Sequence, residues 1–349
     1  MFFLNQMSTV LQMGFIYAVV GIGVYITYKI LDFPDLSVDG TFPLGGVVFS
    51  VLLVAGCPWP VAMLVSFFAG AGAGLVTGLL HVKLKINGLL SGIITMTALV
   101  SVNYLIAGGP QVSFAQEDTL LNNGFLDGLP RVASNYMQVL FILLIVVLCK
   151  VLLDLFLKTK AGFLLRATGD NPQLVTQMGK NTDNYKMLGL ALANGIVALA
   201  GSLYCQYASS FNSNMGTGTV VIALACVIIG CVIAKHIRPM ANTTGVVVGA
   251  LIYYAILSVA MLLLGSDYTR LIVAVLFVIV LIFDTGLIGR TVKKLFRRKK
   301  KEKGGGASGG SAAAGAGGQA AEDAGLAERS AEDPAAEGEG VSKDRKSVV

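Results

Sequence analysis

Between Val10 and Phe283 the chain alternates long apolar runs with short polar stretches that carry glycine or proline. About 20 apolar residues in a helix, each rising 1.5 Å, cover the ~30 Å hydrocarbon core of a bilayer, so each long run reads as a membrane span. Spans are predicted at about Val10–Ile30, Val61–Leu80, Ile86–Ile106, Tyr136–Leu157, Met187–Tyr207, Thr219–Ala234, Gly245–Leu264 and Leu271–Phe283, with a shorter apolar run at Val47–Ala55. The expected fold class is all-α: a polytopic membrane protein of about 9 transmembrane helices, with 8 to 10 compatible with the pattern. Met1–Gln6 lacks the basic start of a signal peptide, so the first span is expected to be retained.

Two stretches interrupt this pattern. Leu31–Gly46, LDFPDLSVDGTFPLGG, holds three aspartates, two prolines and three glycines and leads straight into Val47–Ala55. It reads as a broken helix, because irregular backbone at membrane depth survives only where it lines a cavity or is buried in protein. The alternative is a short loop at the membrane face, with Asp35 and Asp39 capping helices in water. The second stretch is a polar island, Lys158–Lys186. Here Asn171 is a good N-cap, Pro172 suits a first turn and Gly179 suits the C′ position, which predicts a short helix over Pro172–Met178 outside the bilayer. Leu174, Val175 and Met178, spaced i, i+1, i+4, are expected to share an apolar face that docks on a partner. A positively charged loop that only sets topology is the alternative.

The order glycine-rich break, apolar run, glycine-bearing span, further span occurs at 40–106 and again at 216–283. This pattern predicts an inverted repeat with broken helices, a device of transporters. Gly70, Gly74 and Gly78 make a small-xxx-small stripe, expected to admit another helix of the same chain.

Composition narrows the function classes. With 55% hydrophobic and 13% charged residues and a mean hydropathy of +0.74, a soluble domain is excluded. The net charge of +6 does not point to nucleic acid, since the Lys and Arg fall in loops and in Lys293–Lys303. If the island and the run after Arg290 are cytoplasmic, Lys83, Lys85, Lys235, His236 and Arg238 fall on the same side and the N-terminus lies outside. The five cysteines show no CxxC pair and read as buried small hydrophobes, and His81 and His236 sit where a ring reaches the headgroups. The expected organisation is a transmembrane domain at 1–290 containing the loop 158–186, a basic stop at 291–303 and a disordered low-complexity tail at 304–349.

No catalytic residues, metal or cofactor are expected: nothing resembles HExxH or a G-x-S-x-G nucleophile elbow, and MGKNT has Leu174 where a phosphate loop requires its first glycine. The candidates to line a solute path are Asp39 and Thr41 in the break and Asn87, Thr95, Thr97 and Asn103 along one span, although Thr and Asn also tie helices together. Asp39 is a candidate partner for a cationic amino group.

Three segments carry a resemblance: DLSVDGTFPLGG; KAGFLLRATGDNPQLVTQMGKNTDNYK followed by ALANGIVALAGSLY; and GTGTVVIALACVIIG followed by TGVVVGALIYYAIL. They resemble the membrane permease subunits of bacterial ABC importers of the branched-chain amino acid and ribose type, over about Val10 to Asp284. The wording DFPDLSVDG is most similar to a branch of tryptophan/tyrosine uptake permeases. The resemblance implies that the island is the cytoplasmic loop whose short helix seats in a groove of the ATPase subunit. Arg166, Asp170, Asn171, Pro172, Gly179 and Asp183 match that loop's pattern. It further implies two ATPase copies that hydrolyse the ATP, a second permease chain forming a homodimer, an extracytoplasmic solute-binding protein and a surrounding lipid bilayer. The implied location is the bacterial cytoplasmic membrane, with the C-terminus cytoplasmic. The implied activity is inward movement of a small polar solute, an aromatic or branched-chain amino acid. The sequence departs from the family at 234–245, AKHIRPMANTTG, where a glycine-rich loop is usual. A secondary carrier or channel working without an ATPase is the alternative. Such a carrier usually places a carboxylate near the bilayer centre, and Asp35 and Asp39 alone could serve, provided their segment enters the membrane.

Overall fold

The computed structural model describes residues 2–122, 128, 130–236, 241–265 and 268–284. All lie within one unit, Met1–Lys293. Arg238, the basic stop at 291–303 and the tail at 304–349 lie outside the described residues.

The helices are α1 (Phe2–Tyr25, continued by a π turn at Ile26–Ile30), α2 (Val38–Val54), α3 (Trp59–Val82), α4 (Gly88–Ala107), α5 (Arg131–Lys158), α6 (Lys160–Asp170), α7 (Pro172–Gln177), α8 (Thr182–Ala208), α9 (Thr219–His236), α10 (Asn242–Leu264) and α11 (Thr269–Asp284). Among the described residues, six segments are long and apolar enough to cross a membrane: Gln6–Ile30, Trp59–Val82, Gly88–Ala107, Ala133–Lys158, Thr182–Ala208 and Asn242–Leu264. Val38–Val54, Thr219–Lys235 and Thr269–Ile282 are shorter apolar helices. The chain is therefore a mostly helical, multi-pass membrane protein.

Helix ends follow local chemistry. The Asn87 side chain accepts Leu89 N at 3.0 Å to start α4, which ends at Gly108 with φ +65°. Asn181 accepts Asp183 N at 2.8 Å to start α8. Side-chain oxygens at such positions meet N–H groups that no helical carbonyl reaches.

α1 and α8 are buried along most of their length, while α3, α4, α5 and α10 each turn a broad apolar face outward. Lipid is as apolar as leucine, so helices in a bilayer gain mainly from close van der Waals approach, which small residues allow. The glycine stripe of α3 does this against α8: Gly70 meets Asn194 and Ala198, Gly74 meets Leu190, and Gly78 meets Met187. The numbering falls along one helix as it rises along the other, so the two run antiparallel. A Cβ at Gly70 or Gly74 would collide with a backbone carbonyl of α8. On its other side α8 receives α2, with Gly45 against the Ala198 backbone and Gly201 against the Phe42 carbonyl.

The packing has a mirrored order. α8 lies on α3 and α2 as α1 lies on α10 and α9, and the contacts among α2, α3 and α4 recur among α9, α10 and α11. These trios cover the two stretches expected to repeat.

Two features depart from the sequence reading. The expected all-α fold carries a small antiparallel ribbon, β1 (Gln111–Ser113) with β2 (Ser210–Asn212), in register Val112 to Phe211. It joins the loops after α4 and α8 on the face opposite the island, and Phe114 beside it stacks edge-on against Phe49 at 5.8 Å. The island also has a second helix, α6, where only Pro172–Met178 was expected to be helical.

Candidate functional site

Leu31–Ser37 runs as irregular chain between the π turn and α2, and apart from Asp32 and Pro34 its residues are buried or half-buried. Asp35 is 6% exposed. Its Oδ1 accepts Ser37 N at 2.9 Å and Ser37 Oγ at 2.6 Å, and its Oδ2 accepts Asn194 Nδ2 at 2.8 Å. Asn194 stands near the middle of α8, and its Nδ2 also donates to Leu190 O at 3.1 Å. A carboxylate this buried is not a cap at a water face. Asn194 was missed in the sequence, although an Asn among small residues in ALANGIVALAG is a readable signal of a buried polar contact.

Asp39 lies in the first turn of α2. Its Oδ2 accepts Gly218 N at 3.1 Å and its Oδ1 accepts Val220 N at 2.7 Å. These are N–H groups at the start of α9, the positive end of that helix, so the carboxylate compensates both the bare donors and the dipole. Both Asp39 oxygens thus accept backbone N–H groups. Thr41 is fully buried and donates to Ser37 O at 2.9 Å within its own helix.

The four polar residues expected along one path separate. Asn87 is the exposed cap of α4. Thr95 is buried 3.0 Å from Thr77 Oγ1 of α3 and donates to Ser91 O. Asn103 is buried, and its Nδ2 donates to Gly40 O at 3.0 Å, tying α4 to α2. Thr97 is exposed and donates to Ile93 O within α4. The expectation for Thr97 is corrected: two residues turn a helix by about 200°, so it cannot share the inward face of Thr95.

The island is firmly mounted. α6 buries Gly162, Leu165 and Thr168, and its Gly169 lies against the Ile30 carbonyl at the end of α1. The chain then turns at Asn171, whose Oδ1 accepts Gln173 N at 3.1 Å and Leu174 N at 3.2 Å, and α7 ends before Gly179 at φ +71°. Leu174 and Met178 are 49% and 55% exposed, but Val175 is fully buried. Val175 is therefore withdrawn from the expected docking face. Adjacent helical residues point about 100° apart, and α7 turns Val175 into its own chain while Leu174 and Met178 look outward. Arg166, Asp170, Asn171, Pro172 and Gly179 are exposed, and Asp183 is half-buried in the first turn of α8. Phe163 of α6, 63% exposed, adds to the outward apolar surface and was missed because α6 was not expected to be a helix.

Beside the island a cavity of about 350 Å³ is lined by Asp32, Phe33, His81, Asn87 and Lys186 among others. His81 Nδ1 lies 2.9 Å from Ile86 O, and its ring meets Phe33 edge-on at 5.0 Å. Of the six residues expected on a path, Asn87 alone lines this cavity.

Residues 6–281 match the family described as branched-chain amino acid transport system / permease component. The chain belongs to this permease family. The permease is 38% identical over 293 residues to the tyrosine transport system permease protein of Clostridioides difficile (strain R20291), covering 83% of this chain and 95% of that one. It is 32% identical over 270 residues to an uncharacterized protein of Rickettsia prowazekii (strain Madrid E), covering 76% and 91%. Against the autoinducer 2 import system permease protein LsrC of Salmonella paratyphi B the identity is 27% over 257 residues, covering 72% and 70%. No solved structure matches the permease. These relatives place the chain among the membrane components of transport systems.

Proposed function

We propose that this permease is the membrane-spanning subunit of an ATP-driven ABC importer that carries an aromatic amino acid, with tyrosine as the first candidate, inward across the bacterial cytoplasmic membrane. The observation that carries the reading is the two-helix island: α6 and α7 are anchored to the ends of α1 and α8 and still present Phe163, Leu174 and Met178 to an absent partner. Exposed apolar side chains on a rigid mount outside the spans suit a protein groove, and an ATPase subunit is the partner that an importer requires. The solute follows from the similarity to the tyrosine transport permease.

In this reading α1 to α5 and α8 to α11 are nine spans, the island and the C-terminus are cytoplasmic, and the N-terminus is outside. Two copies of the chain work with two ATPases and an extracytoplasmic solute-binding protein. The mirrored packing is an inverted repeat, and the short helices α2 and α9 start inside the membrane where its halves meet. Asp39, Thr41, Thr95 and Asn103 shape the route by fixing these helices, and Asn87 is a candidate solute contact in the cytoplasmic cavity.

The test is uptake of labelled L-tyrosine into proteoliposomes holding the permease, its ATPase and its binding protein. Accumulation that needs ATP is expected. Uptake that ignores ATP and follows an imposed proton or sodium gradient would overturn the proposal in favour of a secondary carrier.

A further inference from the structure

On the face opposite the island, the ends of α1, α5 and α8 and the segment 121–122 enclose a second cavity of about 370 Å³. That size falls in the ~300–1,000 Å³ range of small-molecule sites. Its wall carries no charged residue and is rich in amides: Gln12, Asn122, Asn135, Gln138 and Gln206. Gln12 and Gln138 hold each other in place. Gln12 Nε2 donates to Gln138 Oε1 at 2.9 Å and to Asn135 O at 3.2 Å, and Gln138 Nε2 donates to Leu121 O at 2.7 Å.

Gln206 is different. Its Oε1 accepts Leu120 N at 3.2 Å. A backbone N–H can be met only by the oxygen of an amide, so this bond fixes which way the side chain points. Its Nε2 is then left without a partner among the described residues, in a residue 2% exposed. Buried donors are nearly always paired, and a donor held on the wall of a polar cavity calls for an acceptor from whatever fills it.

We propose that this cavity binds the carboxylate of an amino-acid zwitterion, with Gln206 Nε2 donating to it. The inference rests on the importer reading above for its choice of ligand. A wall of neutral amides does not compensate a net charge, which favours a ligand whose charges balance internally. Oxygens of the same wall are acceptors for the ammonium group.

The experiment is equilibrium binding of labelled L-tyrosine to the full-length permease in lipid nanodiscs, without ATPase or binding protein. Saturable binding is expected, competed by other zwitterionic amino acids and by neither 3-(4-hydroxyphenyl)propionate, a net anion, nor tyramine, a net cation. Gln206→Met, which keeps the length and loses the donor, is expected to weaken binding about 10- to 100-fold. Gln206→Glu keeps an oxygen for Leu120 N and places an anion at the carboxylate position, so it is expected to abolish binding. With two variants, a folding failure in one leaves the other decisive. Binding of a different amino acid with the same dependence on position 206 supports the site. Equal binding by wild type and variants, competition by tyramine alone, or no binding by any of the common amino acids overturns it. Uptake by the assembled importer, measured in parallel, separates the two proposals: uptake without binding removes this site only, whereas absent uptake removes the importer reading.

Discussion

α2 and α9 are the two apolar helices whose first turns meet inside the bundle, and those turns are satisfied in opposite ways. α2 is prepared mainly locally: Asp35 accepts Ser37 N two residues along the chain, while Asn194 of α8 donates to the carboxylate and lies 3.1 Å from Ser37 Oγ. α9 is prepared from afar: its Gly218 and Val220 N–H groups donate to Asp39, which sits in the first turn of α2. The physical need is the same in both, since hydrocarbon offers no acceptor for the donors at a helix start. One start draws its acceptor from two residues away, and the other draws its acceptor from a distant part of the chain.

Substitutions at five positions break or sharpen that contrast, in order of decreasing effect. Gly216→Val is expected to be the most damaging, because any Cβ at Gly216 strikes the Asp39 carbonyl and the Pro43 ring where the two starts touch. Loss of a monodisperse peak in size-exclusion chromatography is the outcome predicted, since overpacking against backbone costs about 1–3 kcal/mol or more. Asp39→Ala comes next: it leaves N–H groups of α9 bare at about 1–3 kcal/mol each, with Asp39→Asn retaining one acceptor and falling between. Thermal unfolding in detergent reads the order, and an Asp39→Ala protein as stable as wild type would mean that water replaces the carboxylate. Asp35→Ala is expected to cost about 1–2 kcal/mol, because the buried acceptor of Ser37 N is lost while the segment before α2 stays packed. The smallest pair lies on α4. Thr95→Val removes the bond to Thr77 for about 1 kcal/mol, and Thr97→Val, on the exposed face, should change stability by no more than about 0.5 kcal/mol. Equal effects at 95 and 97 would contradict the division of faces.

Local chemistry made much of this legible in the sequence. The island helix was readable because Asn171, Pro172 and Gly179 act within a few residues of one another, and the glycine stripe of α3 because its period is that of a helix. The break at Leu31–Ser37 was readable from its prolines and aspartates. What was hidden depends on which elements meet. That Asp39 meets the start of α9, 179 positions away, is not written in its local sequence. Val175 looks like part of a docking face until α7 is laid on its own chain, and Thr97 looks like Thr95 until the turn of α4 is fixed. The ribbon of β1 and β2 pairs segments about 100 residues apart, Gln111 with Asn212, and each is too short to signal a strand alone.

The central claim is that the island seats an ATPase subunit through the outward face of α7. Single cysteines at Leu174, Val175 and Met178, in a background lacking the five native cysteines, would be crosslinked to the co-expressed ATPase with a short thiol-to-lysine reagent. The account predicts crosslinks from positions 174 and 178 and silence from 175, which is buried in its own chain. Crosslinking from 175 alone, or from none of the three in a complex that hydrolyses ATP and transports, would contradict it.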